Sequence, residues 1–85
     1  MISIMNYYYT AAQLIEAIKS GESAVCLVMY DAVKKDPKKN LSEIKMLADF
    51  LAEGSEGKQL HELSLGDQNI SDEGMVLLGK ALQTT

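Results

Sequence analysis

His61 and Cys26, one residue of each type, are the side chains of this 85-residue sequence best suited to general-base or thiol chemistry near neutral pH. His61 is followed closely by Glu62, Ser64 and Asp67. A hydrolytic nucleophile, its base and an orienting acid must converge from different directions, and positions on or beside a single strand cannot supply that geometry. A His61 and Cys26 thiol pair would require neighbouring strands and a cause for ionisation, whereas the apolar run 24–30 around Cys26 opposes ionisation. No second His, second Cys or spaced carboxylate set completes a zinc or iron site. The glycines at 54, 57, 66, 74 and 79 lack the spacing of a phosphate loop. These residues predict a protein that is not an enzyme and that uses no metal or cofactor.

Charge narrows the class of partner. Eight Lys and no Arg stand against twelve Asp and Glu, for a net charge of −4, which opposes the phosphate neutralisation that dominates nucleic-acid affinity. Lys34, Lys35, Lys38 and Lys39 surround Asp36 for a local +3, leaving four Lys and eleven acids, or −7, elsewhere. The ordinary role of such a run is a solvated loop. A lone cysteine in an apolar run fits a reduced compartment, and residues 1–9 carry neither a basic signal region nor a long apolar stretch. The expectation is a soluble, cytoplasmic chain that binds no nucleic acid and no membrane.

The elements that must position any site follow from periodicity. Hydrophobic residues make up 47% and charged residues 24% of the chain, a composition that folds into one small domain rather than two. Ala11, Leu14, Ile15 and Ile18 predict a helix over 10–20, opened by Thr10 with Gln13 and closed by Gly21. Ile44, Leu47, Ala48 and Leu51 predict a second over 41–53, with Asn40 and Glu43 as a capping-box-like start. Met75, Leu78 and Leu82, with Ala81, predict a third over 72–82 capped by Ser71. Leu60, Leu63 and Leu65 alternate with polar residues and predict a strand over 59–65. Residues 24–30 read equally as a strand buried on both faces or as part of a helix face ending at Asp36-Pro37, and residues 2–5 as a further short strand.

Three strand-then-helix units result, over about 1–23, 24–57 and 58–85, and such units must stack on one another to bury their apolar faces. Residues 60–82, LHELSLGDQNISDEGMVLLGKAL, resemble one leucine-rich repeat of the ribonuclease-inhibitor type. Leu60, Leu63 and Leu65 fall on its strand leucines, Ile70 on the next buried site, and Leu78 and Leu82 on its helix face. Gln68 stands where that family carries a buried turn Asn, with Asn69 displaced by one. Ala24, Leu27 and Met29 fall on the strand sites of a preceding unit. The resemblance implies an α/β fold, a short right-handed solenoid with a small parallel sheet, in which Leu63, Leu65, Leu78 and Leu82 are deeply buried. The alternative is a mainly helical chain in which residues 10–36 form an ankyrin-like hairpin followed by one strand-helix unit.

The resemblance further implies a concave sheet face exposing Glu62, Ser64, Gly66 and Asp67 from the last strand and Cys26, Val28, Tyr30 and Asp31 from the middle one. Ser3, Met5 and Asn6 would join them from the first. A register shifted by one would instead send Val25, Val28 and Tyr30 into the core. The expected function is non-catalytic protein–protein recognition through Glu62, Ser64, Asp67, Val28 and Tyr30. The alternative is a small helical regulatory or inhibitory protein that occludes its partner. Tyr7, Tyr8 and Tyr9 read as loop residues packing onto the adjacent helix. The apolar opening of the chain and its uncapped last helix predict that Leu77, the edge of 59–65 or the first strand is covered by a second copy or by further sequence.

Overall fold

The computed structural model describes residues 5–53, 60–66 and 68–83. Three short strands, β1 (Asn6–Tyr8), β2 (Ala24–Leu27) and β3 (Glu62–Ser64), form an open parallel sheet in the order β1-β2-β3. Helices α1 (Ala11–Lys19), α2 (Asp31–Lys34), α3 (Pro37–Glu53) and α4 (Asp72–Gln83) lie between and after them. The architecture is α/β. The hairpin alternative fails because residues 24–27 pair with strands on both sides.

Local chemistry accounts for the boundaries of α1. Thr10 is extended, and its Oγ1 accepts the Gln13 N–H at 3.1 Å while Gln13 Oε1 accepts the Tyr9 N–H at 3.2 Å. At the other end Gly21 sits at φ 107°, and its N–H and that of Glu22 return to the carbonyls of Ile18 and Ala17 at 3.0 and 3.1 Å. Ala11, Leu14, Ile15 and Ile18 are buried as their spacing predicts.

Helix α3 begins four residues earlier than expected. Asp36 Oδ1 accepts the N–H groups of Lys38 and Lys39 at 3.0 and 3.2 Å, and Pro37, which has no N–H to lose, takes the first helical position. The basic stretch is thus the α2–α3 junction, and Asn40 is a buried residue inside a helix rather than a cap. Ser71 Oγ accepts the Gly74 N–H at 3.2 Å and opens α4. A Cβ at Gly74 would stand 2.9 Å from Ile70 Cγ2, so a side chain there would push Ile70 aside, and 3.4 Å from Ile44 Cγ2 on α3, a close contact.

The core joins Leu14 and Ile18 of α1, Val25 and Leu27 of β2, and Ile44, Leu47 and Leu51 of α3, all at most 1% exposed. Burying a side chain of this size contributes roughly 1.5–3 kcal/mol. Leu78 joins them at 3% exposed, but Leu63 and Leu65 are only half-buried and Leu82 is 53% exposed. The expected burial of the last three is therefore corrected. On α4 the inward face is Gly74, Leu77, Leu78 and Ala81, which leaves Met75 and Leu82 outside.

Pairing also departs from the repeat alignment. Leu63 lies opposite Val25, not Leu27, so β3 is two residues out of the expected register while keeping the expected face. Strand β2 ends at Leu27 rather than residue 30. The first strand is Asn6–Tyr8, so Tyr7 and Tyr8 belong to the sheet and not to a loop; the expected strand at 2–5 falls largely outside the described residues.

Candidate functional site

Parallel register sorts the sheet into two faces. Val25 and Leu27 point into the helix-covered core, so Ala24 and Cys26 point to the opposite side. Tyr7 pairs with Cys26 and Cys26 with Ser64, which makes one row across that open face; Glu62, opposite Ala24, lies on it too. The Val28 N–H donates to the Tyr8 carbonyl at 2.8 Å and carries the ladder one residue past β2. Val28 and Tyr30 therefore follow Cys26 on the open side, while Met29 turns inward at 3% exposed.

Of the five expected contact residues, Tyr30 is 55% exposed, Glu62 is exposed, and Val28 and Ser64 are half-buried. Asp67 lies outside the described residues. The register-shifted alternative holds for Val25 alone. Cys26 is buried at 8% between Tyr7 and Ser64 in its row, its thiol 3.9 Å from the Leu27 carbonyl. His61 is exposed, and its main-chain N–H donates to the Ser23 carbonyl at 2.7 Å. Among the described residues no three or more of His, Cys, Asp or Glu are grouped to hold a metal ion.

The principal feature of this face is aromatic. Tyr9 and Tyr30 stack with ring centroids 5.0 Å apart and an interplanar angle of 16°, and remain 47% and 55% exposed. Each is set by a helix start: Tyr9 precedes the Thr10 cap, and the Tyr30 carbonyl accepts the N–H groups of Val33 and Lys34 at 3.0 and 2.8 Å. Tyr7, in β1 on the same face, is 65% exposed. Sequence reasoning assigned the tyrosine triplet to packing on a helix; that holds in part for Tyr8, which packs against the core.

Two polar clusters escaped sequence reasoning. Glu22 accepts hydrogen bonds from the Tyr8 hydroxyl at 2.6 Å and from Asn6 Nδ2 at 2.7 Å. The Tyr8 bond, with that of Asn6, holds the Glu22 carboxyl below its ordinary pKa, and the same bond with Glu22 raises the Tyr8 phenol. The second cluster joins Asn40 and Gln68, both buried. Gln68 Oε1 accepts the Met29 N–H at 2.8 Å, and Gln68 Nε2 donates to the Gly66 carbonyl at 2.8 Å. Its departure from the family Asn was the one signal available for it.

Comparison of the chain with protein-family models, with curated proteins and with solved structures returns no match. Among the described residues no helix is long and apolar enough to cross a membrane.

Proposed function

We propose that this chain is a protein-recognition module built from leucine-rich-repeat-like strand-helix units, and that it captures a partner protein on the open face of its sheet. The observation that carries this reading is the exposed Tyr9–Tyr30 stack beside Tyr7 and Val28. Rigid aromatic residues supply large contact area at small entropic cost and dominate the centres of protein interfaces. Glu62 and Ser64 then form a polar border. The repeat reading draws further support from the order of the sheet, which follows chain order, and from Gln68, whose side chain satisfies the Met29 N–H across 39 residues of sequence. Exposed Met75, Val76 and Leu82 on α4 belong to the same proposal as a surface for a second copy.

The test is paired substitution with a stability control. Tyr9→Ala with Tyr30→Ala should abolish capture of a partner identified by proximity labelling, while the thermal midpoint changes little. Capture that survives both substitutions, or a variant that unfolds, overturns the open face as the site.

A further inference from the structure

On its outer side β1 borders a second surface, which shares Tyr7 and Tyr9 with the open face but not Tyr30. The Val28 N–H to Tyr8 carbonyl bond fixes the alternation of β1, so the main-chain groups of Asn6 and Tyr8 point toward β2 and those of Tyr7 point away from it. Among the described residues no strand pairs with that outer edge. Directly beneath it runs an open groove of about 740 Å³ between β1 and the flank of α1. Ala12, Ala17 and Ser20 keep its floor low, the tyrosines wall it, and Glu16 and Glu22 supply its charges.

Among the described residues no lysine lines the groove. Lys19 leans the other way, with Nζ 6.0 Å from the Phe50 ring centroid on α3 and a long 3.8 Å contact to Glu16, an exposed pair of little strength. Glu22 is anchored by Tyr8 and Asn6 yet keeps lone pairs for a further donor.

We propose that the outer edge of β1 and this groove form a docking site for an extended, basic peptide segment of a partner protein, which adds to the sheet as a fourth strand. Main-chain pairing to Tyr7 supplies the affinity common to strand addition. Side-chain alternation then sends every second residue of the guest down toward α1, where a Lys or Arg meets Glu16 and Glu22 and lies against tyrosine faces. Charge complementarity decides the occupant: an acidic guest would meet two carboxylates, and a second copy of this chain would bring a net charge of −4.

Fluorescence anisotropy on the full chain, with a short labelled peptide alternating lysine and valine, tests the proposal. The peptide should bind saturably, the matching glutamate-valine peptide should not, and methylation of alternate peptide amides should weaken binding at least about tenfold. Ala12→Arg, an exposed change that fills the groove, should weaken binding by a similar factor. Ala52→Arg, which adds the same charge at an exposed position on α3, should leave it within about twofold. Equal losses from the two arginine variants would reduce the effect to diffuse attraction and overturn the site. Indifference to amide methylation would overturn strand addition, and failure of the lysine peptide to bind would overturn both. Loss of the open-face function on Tyr30 substitution leaves this result unaffected, because Tyr30 does not line the groove.

Discussion

The side-chain amide of Asn40 donates to the main-chain carbonyl of Gln68 at 2.7 Å and to that of Lys34 at 3.1 Å, linking helix α3 to the loop after β3 and to the end of α2. Asn40 is 3% exposed, so these carbonyls have no ready water to replace it. Asn40→Leu keeps similar bulk but strands buried acceptors, a change that costs about 1–3 kcal/mol. Urea denaturation should show the midpoint falling with an unchanged slope. A loss below about 0.5 kcal/mol would mean that the loop after β3 draws nothing from this bond.

The Tyr8–Glu22 pair predicts a pH profile with two shoulders. Glu22 has its folded pKa lowered from 4.5 by the hydrogen bond from Tyr8, so its contribution is full above that value and is lost as pH falls through the lowered one. Tyr8 has its pKa raised from 10.0 by its bond to Glu22, so its contribution is full below 10.0 and is lost as pH rises through the raised value. Tyr8→Phe should flatten both limbs relative to the parent in thermal melts collected across pH. An unchanged acid limb would show that Glu22 gains nothing from the phenol.

Glu43 was read as half of a capping box for its own helix, and instead caps another. Its Oε1 accepts the Ala11 N–H at 3.0 Å, so one of the unpaired amides at the start of α1 is satisfied from α3. Glu43→Ala should cost about 0.5–2 kcal/mol, and Glu43→Gln, which keeps an acceptor oxygen, distinctly less. Amide hydrogen exchange at Ala11 should rise in the first variant well before global unfolding. Equal exchange in both variants would remove the cap from the account of α1.

These reassignments mark where sequence reasoning stopped. Helix α1 was readable apart from the Glu43 bond, because Thr10, Gln13, Gly21 and its apolar face lie within one segment. The inward residues of α3 were readable for the same reason, but Asp36-Pro37 serves equally as a terminator and as a cap followed by a first helical residue. Which it is depends on whether a helix follows. Strand pairing involves partners many residues apart, and β3 slipped by two because alternation specifies a face and not an offset. The tyrosine stack was invisible for a related reason: Tyr9 and Tyr30 meet only once β1 and β2 are in register. The Tyr8–Glu22 bond likewise requires the turn at Gly21 to bring Glu22 back beside β1.

Leucine truncations separate the observed packing from the one that repeat spacing suggests. Leu27 is completely buried at the centre of the sheet, whereas Leu82, which the spacing places on the inner face of α4, is 53% exposed. Leu27→Ala should therefore cost about 2–5 kcal/mol through the cavity it leaves. Leu82→Ala should cost no more than about 1 kcal/mol, since little water-excluded volume is vacated and alanine favours the helix. Leu65, half-buried beside the core, should fall between them. Chemical denaturation of the three variants checks the order. If Leu82→Ala proved as costly as Leu27→Ala at low protein concentration, α4 would have to be rotated to bring Leu82 inward, and Gly74 would lose its close approach to Ile44.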